Sequence, residues 1–193
     1  MDLHKIGFKI LAEEGSTVEL VEFIPVFHRW IQKKALDNLL IDVADYSHVH
    51  AGPGIVLVAH EGNYAIDETG NRRGFVYYSK HELQGSMVNR MAVVCRHALD
   101  ACKLLQDEQQ FNGRLNFPAQ EFQFFFNDRL QAPNTDESWK KLEPELQDFL
   151  KVFFSGVKFT VKRVPDPRER LQANIMLTQA VPIDTLIQQL AIN

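Results

Sequence analysis

Cysteine is nearly missing from this chain. Cys95 and Cys102 are the only two in 193 residues, and both lie in "VVCRHALDAC". Along a helix that spacing is a rise of about 10 Å, too far for a disulfide between them. A disulfide scaffold is therefore excluded, and a reducing compartment, the cytoplasm, is expected. Apolar runs long enough to cross a bilayer, about 18 residues, are missing as well, so no membrane span is expected. The opening "MDLHKIGFKILAEEG" lacks a basic start followed by a long apolar stretch, so no secretory signal is expected. A large excess of charge is also lacking: 21 basic residues meet 25 acidic ones for a net charge of −4. That argues against a surface built for phosphate backbones, and nucleic acid is not an expected partner. There is no GxGxxG fingerprint, and "HAGPG" lacks the Lys-Ser/Thr of a phosphate loop. No serine or cysteine stands in a recognisable nucleophile motif, and no residue pattern names a cofactor.

What is present is an ordinary globular composition, 45% hydrophobic and 24% charged. A chain of this length can bury a core without metal or disulfide and suits a single compact domain, residues 1–193. The strand signals are "HKIGFKIL", "LLIDVADY", "IVLVAHE", "NYAID", "GFVYY", "EFQFFF", "VKFTVKRV" and "RLQANIML", rich in β-branched and aromatic residues and separated by Gly, Pro and Asn turns. Helical spacing appears in four places. The first is 16–36, where Leu20, Phe23, Phe27, Trp30 and Ile31 make a stripe, Ser16 and Glu19 have capping-box spacing, and Pro25 marks either a kink or the true first turn. The second is 81–110, with Leu83, Met87, Met91, Val94, Ala98, Cys102 and Leu105 on one face, so both thiols are expected to be buried apolar groups. The third follows "APNT" and ends at Gly156, and the fourth is "PIDTLIQQLAI".

Residues 3–58 laid without gaps over residues 122–177 match strand to strand, helix to helix and turn to turn; Pro25 meets Pro144 and Trp30 meets Phe149. Few residues are identical, so either an internal duplication or two ordinary units of equal length accounts for the echo. The expected fold is α+β, a mostly antiparallel sheet with helices on one face, made of a β-α-β-β-β-α unit over 1–110 and a β-α-β-β-α unit over 118–193.

The candidate sites cluster in "DYSHVHAGPGIVLVAHEGNY". His48 and His50 have the spacing that points two imidazoles the same way from an extended strand, as in several metal sites. With a turn near residue 50, His60 falls roughly 20 Å away at about 3.3 Å per residue, so the two histidines need further ligands from elsewhere. The same hairpin sets position 42 opposite 58. Asp42 and His60 become diagonal neighbours, and with Glu61, and Tyr46 or Tyr64 nearby, they outline an acid–base site. Asp42 is unusual inside the apolar run "LLIDVA". Phe122, Phe124 and Phe126 alternate beside a basic cluster of Lys158, Lys162, Arg163, Arg168 and Arg170, but period-two phenylalanines are more often the core side of a strand, and Asp166 and Glu169 dilute the patch.

"FIPVFHRWIQ", "LLIDVADYSHV" and the following "GPG…HE" resemble a group of uncharacterised bacterial proteins of this length, over most of residues 20–80. The resemblance implies a bacterial soluble protein and carries no activity or site. With no nucleophile, phosphate loop or complete metal set, the expected function is non-catalytic binding to a protein partner or to a second copy through exposed sheet edges. The alternatives are an acid–base enzyme at Asp42, His60 and Glu61 and a metal protein at His48 and His50.

Overall fold

The computed structural model describes residues 1–50 and 52–191. Eight strands form one sheet in which every neighbouring pair is antiparallel, in the order β2-β3-β4-β5-β1-β6-β8-β7. They are β1 (Ile6–Leu11), β2 (Leu40–Tyr46), β3 (Gly54–Ala59), β4 (Gly62–Asp67), β5 (Gly74–Ser79), β6 (Glu121–Phe126), β7 (Phe159–Arg163) and β8 (Leu171–Leu177). The helices are α1 (Phe23–Lys33), α2 (Met87–Gln106), α3 (Asp136–Phe153) and α4 (Ile183–Ala191). The chain is an α+β protein. No helix among the described residues is long and apolar enough to cross a membrane.

Alternation along the strands assigns the two faces. Ile6, Phe8 and Ile10 of β1, Ile55, Leu57 and Ala59 of β3, and Phe122, Phe124 and Phe126 of β6 all enter one core with the helices. The three alternating phenylalanines are thus core residues. Helix α2 lies across β1 and β5. Ser86 starts it by accepting a hydrogen bond from the Asn89 amide. Met87, Met91, Val94, Cys95, Ala98, Leu99, Cys102 and Leu105 form its buried face. Both cysteines are free and buried, and burial pushes their thiols well up.

Of the two alternatives for Pro25 the structure selects the first turn, and the capping pair differs from the sequence expectation. The regular part of the first helix begins at Phe23, with Pro25 in its first turn, where its missing N–H costs nothing. The capping pair is Glu19 with Glu22, ahead of a short 3₁₀ turn, while the Ser16 hydroxyl is buried without a partner among the described residues. The two units also differ in the order of their strands. In the second, β8 pairs directly with β6, whereas in the first β3 pairs with β4, and β5 takes the place beside β1. The duplication therefore gains no support from the sheet. The expected turn through Ala51 and the helix end at Ile192 touch residues outside those described.

The second face carries no helix, yet parts of it are closed. Lys9, Val56, Ala65, Val76 and Phe125 are all less than 5% exposed there. Gly7 makes this possible: it pairs with Tyr78 on one side and Phe125 on the other, and the Phe125 ring lies over it. A Cβ at position 7 would sit 2.0 Å from the ring. Gly7→Ala should therefore lower stability by about 1–3 kcal/mol through overpacking. Urea unfolding checks this, and an unchanged midpoint would show that the ring moves aside freely.

Candidate functional site

The residues singled out in the sequence separate in space. Asp42 is exposed on edge strand β2, and its carboxylate accepts from the adjacent Val43 amide at 2.8 Å. The hairpin register sets Asp42 opposite Val58, as the alternation requires, but a bulge at Ile41 brings Leu40 opposite Ala59. His60 follows β3, with its side chain 62% exposed, 3.7 Å from Glu61 and with its ring 5.1 Å from that of His81. No hydrogen bond or ion pair joins Asp42 to His60 among the described residues. His48 and His50 are exposed in the turn after β2, with the His48 ring 6.4 Å from Tyr46. Among the described residues, no group of three or more His, Cys, Asp or Glu side chains is placed to hold a metal ion.

Glu61 and Tyr64 belong to a different arrangement. The Glu61 carboxylate accepts from the Asn38 side chain and the Leu39 amide, each at 3.2 Å. Asn38 is buried in the connection between α1 and β2, and its carbonyl oxygen accepts from the Tyr64 hydroxyl. The Tyr64 and Tyr77 rings are 4.8 Å apart, and the Tyr77 and His97 rings 4.9 Å. Hydrogen bonds thus run from Glu61 at the surface through Asn38 to the buried Tyr64, and ring contacts continue through Tyr77 to His97 on α2.

Two of these residues, Tyr64 and His97, form the back wall of a cavity of about 340 Å³ between α2 and the α1–β2 connection. Ala35, Asp37, Tyr64, His97, Asp100, Lys103 and Asp107 are among its lining residues. His97 and Asp100 are three residues apart on one helix and so share a face. Asp37 reaches the cavity from the opposite rim.

Burial decides the protonation of the wall. It pushes Tyr77 up to about 12 and Tyr64 higher, so both hydroxyls stay protonated and can donate. It pushes His97 down against the pull of Asp37 and Glu61, leaving a neutral imidazole at neutral pH. Neither ring nitrogen of His97 is hydrogen-bonded among the described residues. Burial also raises Asp100, with Arg96 opposing at 3.8 Å and the like charge of Asp37 adding to the rise. Lys103, the only lysine or arginine lining the cavity among the described residues, is paired with Asp184. The cavity therefore offers three aspartates, a free neutral imidazole and a tyrosine edge. That set can hold a cation and accept a proton.

Comparison with family models, curated proteins and solved structures finds no match. The chemistry of the site rests on its own residues.

Asn38→Ala should cost about 1–3 kcal/mol, because it leaves the buried Tyr64 hydroxyl unsatisfied; an unchanged thermal midpoint would show that Asn38 does not hold Tyr64. His97 also sets a pH dependence. Below its ordinary value of 6.5, the unfolded chain takes up a proton that the folded protein resists. Stability should then fall as pH drops from about 6.5 through the lowered native value, and this group adds no slope above it. Urea midpoints at about pH 5.5 and about pH 7.5 should differ less in His97→Gln than in the parent. Equal differences would show that His97 titrates freely.

Proposed function

We propose that this protein works by binding a protein partner, and that the cavity beside α2 receives a basic side chain of that partner. The observation that carries the reading is the lining: Asp37, Asp100 and Asp107 surround a cavity whose one lysine is already paired. Burial, with the like charge of Asp37 adding to it, raises the cost of ionising Asp100, and an incoming ammonium or guanidinium would relieve it. The rim supports a protein as the source of that group. Leu39 and Ile41, just beyond Asp37, are 63% and 53% exposed. A partner that seats a lysine or arginine in the cavity would cover both. The same surface would serve a second copy of the chain. A bacterial source and a cytoplasmic location go with this reading, resting on the resemblance over residues 20–80 and on the two buried free thiols.

A second reading, acid–base catalysis, is favoured by one feature: the neutral His97 imidazole, open to the cavity and without a hydrogen bond among the described residues. In that case His97 would be the proton acceptor, and Glu61, through Asn38, a positioning residue.

The test is an NMR titration of the full chain with Nα-acetyl-lysine amide, using the uncharged norleucine analogue as control. Saturable shifts of the His97 ring and Asp100 signals with the lysine compound alone, weakened roughly tenfold in Asp37→Asn for one lost charge-assisted contact, are expected. Equal response to the two compounds, or none, would defeat the cation reading. Binding should also weaken as pH falls and Asp100 takes up its proton.

A further inference from the structure

On the opposite face of the sheet from that cavity, Arg170 lies flat on the Phe125 ring, its guanidinium carbon 3.4 Å from the ring centroid. It is one of ten arginines in the chain. The other nine each donate to a carboxylate or a carbonyl: Arg29 to Glu108, Arg72 to Glu121, Arg73 to Glu68, Arg90 to Asp2, Arg114 to Glu22 and Arg163 to Asp136, while Arg168 reaches Asp166, Arg96 the Ile187 carbonyl and Arg129 the Arg168 carbonyl. Arg170 alone has no hydrogen bond or ion pair among the described residues. A guanidinium carries five N–H donors in a fixed fork and stays charged. One face of the fork is desolvated on an aromatic ring, while its N–H groups are not among the buried unpartnered atoms, so water meets them until a ligand that supplies acceptors displaces it.

The surroundings show why Arg170 stays unpaired. Asp67 is the nearest buried acid, and both its oxygens are taken: Oδ2 accepts from Lys9 at 2.5 Å, and Oδ1 accepts from the Thr69 hydroxyl at 2.7 Å. Lys9 also donates to the Arg72 carbonyl. The Lys9–Asp67 pair is neutral as a unit, so Arg170 brings one uncompensated positive charge. Glu169 is exposed and reaches Arg170 only through longer-range attraction. Arg170 lines a cavity of about 340 Å³, with Tyr78, Phe125, Thr69 and Asn127 among the other walls. Val76 and Ala65 give it an apolar floor. Gly7 builds the platform, because only a residue without a side chain lets Phe125 lie where it does.

We propose that this cavity is a carboxylate-binding site, in which Arg170 takes both oxygens of a monoanion with an apolar or aromatic body. The single unpaired charge favours a monocarboxylate over a phosphate group, for which a second cation would be needed, and Lys9 is already engaged. The planar fork matches a carboxylate in two parallel bonds. The Phe125 and Val76 walls accept the body of the ligand.

The experiment is a titration of the full chain with benzoate, and with benzamide as the neutral isostere, followed by the Arg170 side-chain N–H and Phe125 ring resonances. Saturable movement of both signals with benzoate, and none with benzamide, is expected. No saturation, or shifts centred elsewhere, overturns the proposal. Arg170→Met keeps a stem over Phe125 and should weaken benzoate roughly tenfold or more, the loss expected for a bidentate charged contact; undiminished binding overturns the assignment. Should that variant fail to fold, Arg170→Lys keeps the charge but loses the fork, and should bind more weakly than the parent; equal affinity counts against the bidentate site. Acetyl-glycyl-phenylalanine with a free C-terminus, compared with its amide, separates the sources. Tighter binding than benzoate would make the ligand a peptide terminus, and weaker binding a small free acid.

Discussion

The antiparallel pairing of β1 with β6 is the joint on which the whole sheet depends. It joins the five-strand part of the sheet to the three-strand part, and it has to be packed from both sides. On the helix side Phe8 meets Phe122 and Phe124, with ring centroids 5.4 and 4.8 Å away. On the other side Gly7 yields its place to Phe125. A strand pair at the middle of a sheet cannot slip by one residue without exchanging these two faces. Phe8 in place of Gly7 would clash on one side and leave a void on the other.

Both candidate sites derive from that one-sided construction. Helices cover one face, so the cavity beside α2 forms where the α1–β2 connection meets the end of α2, and tyrosine hydroxyls are buried at its back. The bare face has no helix to close it and is closed instead by long polar side chains. Lys9 and Arg170 lay their apolar stems over strand residues while their charged heads seek partners. Lys9 finds Asp67 and Arg170 finds only a ring. Burial and charge thus compete at different places on the two faces, with acids in excess on one and a single unpaired guanidinium on the other.

The strands and the last three helices were legible because their signals are local: β-branched runs, Gly-Pro punctuation, and a stripe in α2 that repeats every three or four residues. Strand order was not legible. Nothing in "NYAID" or "GFVYY" says that the second of these lies beside β1, since that choice depends on contacts between residues far apart in the chain. The candidate site shows the same division. Glu61 and Tyr64 could be singled out because acids and tyrosines beside an apolar strand are noticeable. His97 could not: it sits inside the helical run "CRHALDAC", where period alone makes it one more residue beside the core stripe. Only its spacing of one turn from Asp100 hinted at a shared face. Asp42 attracted notice as a carboxylate in an apolar run, but β2 is an edge strand, and an edge strand can expose a carboxylate at no cost.

Asn38 adds a second tie between regions that the sheet ladder already joins. Its carbonyl oxygen is fastened to a tyrosine in the interior of the sheet, and its amide to Glu61 in the turn between β3 and β4. The neighbouring Leu39 amide shares the same carboxylate, and β2 starts one residue later. The cavity wall and the sheet's outer edge are therefore a single mechanical unit. Fraying of β2, the least covered strand on that side, pulls on the bonds at Asn38 as well as on the ladder to β3. A molecule lodged against the wall would hold the edge strand in place, slowing the local opening of a segment it does not touch.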